Sequence, residues 1–249
     1  MQSFHRRVEL HGRYDCGERK GEVRAALEDD FHHFRVALSF ESEHVAGICA
    51  EAPRHPFTTC PGAGEVLQAL RGMPLNRVAS TVSRHTDAAQ QCTHMLDLAG
   101  LANAAAARRV LYRRYDIAVP RHVDGHSTAR LIRDDGFLLE WQVQESTILA
   151  PAPYAGVDMR RGMARWAVEN LPEEDAEAAL VLRRCALIAL GRRLEVQTGP
   201  HHHLAGQCYA HQPVRAEQTI RIAQSTLDFT GIATVLCSDD SLWLQDFKA

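Results

Sequence analysis

Residues 31–41 have the sequence FHHFRVALSFE, whose pattern indicates the fold class. Apolar and polar side chains alternate along it. One face of an extended strand would carry Phe34, Val36, Leu38 and Phe40. The opposite face would carry His33, Arg35 and Ser39. Alternation of this kind is typical of a strand in an antiparallel sheet with one buried face.

The surrounding sequence extends this strand into a meander. Residues 4–15, 21–30 and 45–51 also have the composition of strands, and prolines between residues 53 and 61 indicate a loop after them. Residues 86–107 then carry Met95, Leu98, Leu101 and a run of alanines at helical spacing. The first part of the chain therefore predicts a β-meander followed by a helix.

The same order recurs further along the chain. Arg6-Arg7-Val8 and Arg13-Tyr14-Asp15 reappear as Arg108-Arg109-Val110 and Arg114-Tyr115-Asp116. Strand-like segments at 109–119, 127–134 and 137–145 are again followed by helical segments, at 158–170 and 173–194. We therefore predict an α+β protein with two pseudo-repeated antiparallel halves, each a β-meander plus a helix, and a site in the cleft between them.

The expected domains are 1–107, 108–198, and a polar loop with a C-terminal segment, 199–249, that packs on the core. Within that last part, residues 231–237 are predicted to form a strand.

Composition narrows the classes of function. A net charge of −3 and a pI near 6.5 argue against an electrostatic nucleic-acid binder. No apolar run is long enough to span a bilayer, and no signal-peptide pattern is present, so we expect a cytoplasmic protein without a membrane partner. The seven cysteines form no C-x-x-C pair, which indicates reduced thiols.

Two histidines are the leading candidates for proton transfer. His94 and Asp97 lie three residues apart on the predicted helix, where a carboxylate can hold an imidazole in one tautomer. His32 would face the core together with Phe34, and a buried histidine needs a partner. For either histidine, a purely structural role is the alternative.

Metal binding is a second interpretation. His122, Asp124 and His126 would point the same way in an extended segment and suit Zn²⁺ or Fe²⁺, although Gly125 and Pro120 favour a loop. The tract His201-His202-His203, with Cys208, Tyr209 and His211 nearby, could also bind metal or be a solvated loop. Cys60, in a proline loop, is a weak candidate for an exposed reactive thiol.

Several of these motifs occur in the order of a known family. They are His5-x-Arg7, the strand His32-His33-Phe34-Arg35-Val36, the loop with Cys60-Pro61, and Cys92-Thr93-His94-Met95-Leu96-Asp97-Leu98. Over about residues 4–107 the chain resembles the bacterial domain-of-unknown-function family 2889. His33 departs from the pattern, since the family usually has Asp there. The resemblance implies a bacterial protein of a kind found in organisms that degrade aromatic compounds, and it brings no settled activity.

The leading hypothesis is a cofactor-independent acid–base lyase or isomerase that acts on a small aromatic catabolic metabolite. His94, His32, Asp97 and Tyr209 would be catalytic, whereas Arg7, His5, Cys60 and Tyr115 would bind substrate. The alternatives are a Zn- or Fe-dependent enzyme and a non-enzymatic binding module. We expect a small-molecule partner, no nucleic acid and no membrane, and allow for a homodimer.

Overall fold

A computed structural model describes residues 3–15, 19–190 and 208–247 of the chain. The strands are β1 Ser3–Tyr14, β2 Lys20–Asp29, β3 His33–Glu41, β4 His44–Arg54, β5 Tyr112–Pro120, β6 His126–Arg133, β7 Leu138–Gln144 and β8 Thr147–Ala150. The α-helices are α1 Ala63–Val66, α2 Thr93–Arg108, α3 Met163–Asn170, α4 Glu173–Ala189, α5 Pro213–Ala216 and α6 Ser241–Gln245. Short 3₁₀ helices fill several loops, among them Ala79–Arg84 and Tyr209–His211.

The strands form one eight-stranded sheet with the order β4-β3-β2-β1-β5-β6-β7-β8. Within it, β2, β3 and β4 pair antiparallel in sequence, and so do β5, β6, β7 and β8. The prediction of an α+β protein with antiparallel meanders is confirmed. The internal duplication and the cleft between its halves stay predictions.

By their contacts, the residues divide into two compact units. Unit 1 comprises Met1–Arg7, Arg114–Val196 and Asp228–Leu236, and unit 2 comprises Val8–Arg113, Gln197–Leu227 and Cys237–Ala249. The boundary passes through the sequences of β1 and β5, and the C-terminal part of the chain contributes to both units.

Unit 2 is built around β3. Phe34, Val36, Leu38 and Phe40 are all buried, as their alternation predicts. α2 packs on β2 and β3 through Met95, Leu98 and its alanines. This helix begins at Thr93 and not at residue 86, because residues 88–90 form a separate 3₁₀ turn, capped where Asp87 accepts from the Ala89 N–H. The late start places His94 in the first turn of α2.

Unit 1 has an aromatic core over its part of the sheet. The Trp141 and Tyr154 rings lie with centroids 5.3 Å apart, and Tyr154 contacts Trp166 of α3 at 5.6 Å. α4 begins after Pro172 with three acidic residues, which favour a helix N-terminus. It ends at Ala189, five residues before the predicted end at 194.

The predicted strand at 231–237 is wrong. Residues 233–235 form a 3₁₀ turn, and Cys237 has a left-handed backbone with φ of 58°. The apolar run misled because a short apolar segment can pack on a core without joining a sheet. None of the helices in the described ranges has both the length and the apolarity that a membrane crossing requires.

Candidate functional site

A tight turn between β2 and β3 fixes the central carboxylate of the candidate site. The Asp29 Oδ1 atom accepts hydrogen bonds from the backbone N–H groups of Phe31, at 2.7 Å, and of His32, at 2.8 Å. An aspartate that binds the backbone two residues ahead is a common turn former. Asp29 is fully buried, so the turn holds its carboxylate inside unit 2.

The same carboxylate contacts the imidazole of His32. The His32 Nδ1 atom lies 3.1 Å from Asp29 Oδ1 and 3.2 Å from Asp29 Oδ2. We assign the Nδ1–H tautomer to this ring, because only a protonated nitrogen can donate to the carboxylate. The Nε2 atom of His32 then carries the lone pair that can accept a proton.

His94 completes the group from the first turn of α2. Its ring lies with the centroid 4.0 Å from that of His32, at an interplanar angle of 32°. Phe34 packs against both imidazoles, at 5.4 Å from His32 and 5.9 Å from His94. Both imidazoles are at most 9% exposed. Two of the histidines that the sequence selected therefore meet in a shielded, partly aromatic setting.

These three side chains could also hold a metal ion. One donor atom from each of Asp29, His32 and His94 lies within 4.8 Å of the others, and no other such trio was found in the described part of the chain. Asp124 and Gly125 both take positive φ in the tight turn before β6. In this turn the donor atoms of His122, Asp124 and His126 do not come together as a possible metal site. The tract His201-His202-His203 lies outside the described residues.

Buried thiols lie close to the start of α2. Cys92 is the N-cap residue of this helix; burial raises its pKa to about 11, although the N–H groups of Met95 and His94 oppose that rise. Cys60 packs with Phe57 and Ala210, and burial, assisted by the neighbouring Cys92 thiol, raises the Cys60 pKa as well. Cys60 is thus a buried thiol and not the exposed one that its loop position predicted.

The C-terminal residues of unit 2 lie against the same region. The Tyr209 N–H donates to the Gln91 carbonyl at 3.1 Å, and the Arg215 guanidinium stacks on the Tyr209 ring at 3.9 Å. Asp97 lies one turn after His94 and is half-buried. The carboxylate at the imidazole pair is Asp29, which the sequence analysis did not select.

Three of the predicted substrate-binding residues belong to unit 1. The Arg7 Nε atom lies 2.7 Å from Asp116 Oδ1, and its NH1 atom donates to the Leu236 carbonyl at 3.0 Å. The buried Tyr115 hydroxyl donates to Glu177 Oε1 at 2.6 Å. His5 lines a cavity of about 190 Å³ whose walls include Asp116.

A second buried carboxylate contacts His33, the residue next to His32. The Asp240 carboxylate is fully buried, 2.9 Å from His33 Nε2 and 2.5 Å from Arg35 Nε. Burial acts to raise the Asp240 pKa, but the hydrogen bonds and charges of His33 and Arg35 outweigh it and leave the pKa below its ordinary value. The contact between Arg35 and Asp240 could not be predicted from the sequence, because the two residues are 205 positions apart.

Comparison with known proteins agrees with the motif-based resemblance. Residues 8–108 match the family model described as "Protein of unknown function (DUF2889)", so the resemblance is confirmed over this N-terminal portion. All three residues of the Asp29–His32–His94 group lie within the matched range. Comparisons with curated proteins and with solved structures found no match.

Proposed function

We propose that this protein is a cofactor-independent acid–base lyase or isomerase for a small aromatic bacterial metabolite. The observation that carries the proposal is the Asp29–His32 pair, with the carboxylate 3.1 Å from Nδ1 and the centroid of the His94 ring 4.0 Å from that of His32. We place the reaction in the cytoplasm, and the partner is the substrate alone.

The chemistry follows from the proton positions. Asp29 holds the Nδ1 proton of His32, so His32 Nε2 can remove a proton from the substrate. The resulting imidazolium is stabilised by the buried carboxylate. The ring centres lie 4.0 Å apart, so one ring can act as base while the other returns a proton to the product.

The surroundings suit an apolar, flat substrate. Phe31 contacts His32 edge-on at 6.0 Å, and Phe34 packs against both imidazoles. Such a setting excludes water and strengthens every charge interaction inside it. The roles of Arg7, His5, Cys60 and Tyr115 in substrate binding stay predictions, as do those of Asp97 and Tyr209 in catalysis.

A metal-dependent reaction is the second candidate, and one observation favours it. Two imidazoles and a carboxylate with donor atoms within 4.8 Å form the ligand set of many Zn²⁺ and Fe²⁺ enzymes. The hydrogen bonds that Asp29 Oδ1 accepts from two backbone N–H groups favour the metal-free reaction instead.

The test combines chelation with substitution. The purified full chain, dialysed against a chelator, is incubated with a panel of aromatic acids and phenols in D₂O, and the products are read by mass spectrometry. We expect conversion or deuterium uptake in the metal-free protein, and a loss of about 10²–10⁴-fold in His32→Gln and His94→Gln. His44→Gln is the matched control, since this exposed histidine binds only a local carbonyl among the contacts described.

Two outcomes would count against the proposal. Activity that disappears on chelation and returns with Zn²⁺ or Fe²⁺ would establish the metal-dependent enzyme. Tight binding of a panel member without conversion or deuterium uptake would indicate a binding module.

A further inference from the structure

We propose that Arg54 is the positioning residue that sets the geometry of the Asp29–His32 pair. This inference rests on the proposed function, since it concerns the same site. Arg54 is the last residue of β4, opposite His33 of β3. Between the pairs His33–Arg54 and Arg35–Glu51, β4 contains one more residue than β3, which is a β-bulge. A bulge at a strand end redirects the side chains beside it, and here Arg54 turns towards the Asp29 turn.

The guanidinium of Arg54 binds the backbone of the residues that make up the turn. Its NH2 atom lies 2.5 Å from the Asp29 carbonyl oxygen and 3.3 Å from that of His32. Its NH1 atom donates to the Asp30 carbonyl at 3.2 Å. The backbones of both members of the proposed proton-transfer pair are therefore held by one side chain.

Two further contacts anchor the guanidinium itself. Its NH2 atom lies 3.2 Å from the Glu28 carboxylate, and its NH1 atom donates to the Ser225 carbonyl at 3.2 Å. The Leu227 N–H in turn donates to the Asp30 carbonyl at 2.7 Å, so the chain near Ser225 and the turn are fixed to each other. The Arg54 side chain is 17% exposed, which limits competition from water.

The arrangement requires a planar, multidentate cation. Several carbonyl oxygens converge on one point, and their partial negative charges repel each other unless a cation lies between them. A guanidinium offers five donors in a fixed plane, whereas an ammonium is a compact charge with three. If Arg54 is lost, the turn keeps its internal bonds, such as that from the Asp29 N–H to the His32 carbonyl at 2.8 Å, but its carbonyl oxygens lose the cation that holds them together, so the two backbones can shift. A small shift is enough to lengthen the Nδ1–carboxylate contact that selects the His32 tautomer.

The nitrogen NMR spectrum of the His32 ring tests the inference without any substrate. The full chain is labelled with ¹⁵N-histidine, and the His32 signals are assigned by their loss in His32→Gln. In the wild type we expect one protonated and one unprotonated ring nitrogen, with Nδ1 protonated. In Arg54→Lys and Arg54→Met we expect the two nitrogen shifts to move towards a common averaged value.

Arg24→Met is the matched control. The Arg24 guanidinium also binds two carbonyls, of Trp243 and Asp246, and a carboxylate, that of Glu22 at 2.6 Å, with a side chain 14% exposed. A general loss of stability would affect Arg24→Met as well, whereas only the Arg54 variants should change the His32 spectrum. Arg54→Lys keeps the positive charge, so the test can still be made with this variant if Arg54→Met does not fold.

An unchanged His32 tautomer in folded Arg54→Lys would overturn the inference. The outcome is separable from that of the proposed function. A wild type that converts no substrate would remove the proposed reaction and leave the spectral effect of Arg54 intact. A wild type that converts substrate, with Arg54→Lys spectrally and kinetically unaffected, would remove the role of Arg54 alone.

Discussion

Asp240→Asn should destabilise unit 2, because it removes the carboxylate charge that links the C-terminal segment to β3. The Asp240 side chain is 0% exposed and contacts His33 Nε2 with both oxygens at 2.9 Å. Arg35 reaches the same carboxylate at 2.5 Å. Asparagine has nearly the same shape, so the substitution removes the charge and one acceptor without opening a cavity.

The magnitude follows from how deeply the partners are buried. Removing one member of a fully buried ion pair costs about 3–5 kcal/mol. Here His33 and Arg35 are 9% and 18% exposed, so water can replace part of the lost interaction. Arg35 also keeps Glu51, at 3.5 Å. We therefore expect a loss of about 2–3 kcal/mol in the free energy of unfolding.

Urea unfolding of the full chain, compared at equal slope, measures this loss. Asp239→Asn is the control, because the neighbouring Asp239 side chain is exposed and Arg35 contacts only its carbonyl. Since the folded state lowers the pKa of Asp240, the charge stabilises the fold above the ordinary value of 3.8. The stabilisation is lost as the pH falls through the lowered folded-state pKa, so the difference between wild type and variant should shrink in strong acid. Equal stabilities of Asp240→Asn and Asp239→Asn at neutral pH would refute the reasoning.

Two other substitutions have defined outcomes. Tyr115→Phe removes the buried hydroxyl that donates to Glu177 Oε1 at 2.6 Å, and it should lower the free energy of unfolding by about 1–3 kcal/mol in the same urea assay. A change within error would show that water or another group replaces the bond. Cys49 is exposed, whereas Cys92 is buried with a pKa of about 11. Cys49→Ser should therefore remove one rapidly reacting equivalent from a thiol titration at mildly alkaline pH, and an unchanged fast phase would contradict the assigned burial.

The fold was predictable to the extent that its signals are local. Alternation in residues 31–41 gave the buried face of β3 correctly, because a strand exposes successive side chains to opposite faces. The predicted helix from 86 failed at its first turns, because the Asp87 carboxylate caps a separate 3₁₀ turn there. The strand at 231–237 failed for the same kind of reason, since local backbone bonds there compete with pairing in a sheet.

For the candidate site, too, local features could be predicted from the sequence and long-range contacts could not. His32 and His94 were found from the sequence because each is a polar side chain in an otherwise apolar pattern. Asp29 could have been found, since an aspartate three residues before a histidine can bind both the turn and the ring. The contact between the two imidazoles could not have been predicted, because the turn before β3 and the start of α2 meet only in the folded protein.

The adjacent histidines show why alternation is a poor guide at the end of a strand. On a regular strand His32 and His33 would face opposite sides, and only one would be buried. β3 begins at His33, and His32 lies in the preceding bend, so both imidazoles are buried and each has its own acid. His32 has Asp29, three residues away, and His33 has Asp240, 207 residues away. The first acid orients an imidazole towards the candidate site, whereas the second ties the C-terminal segment to the sheet.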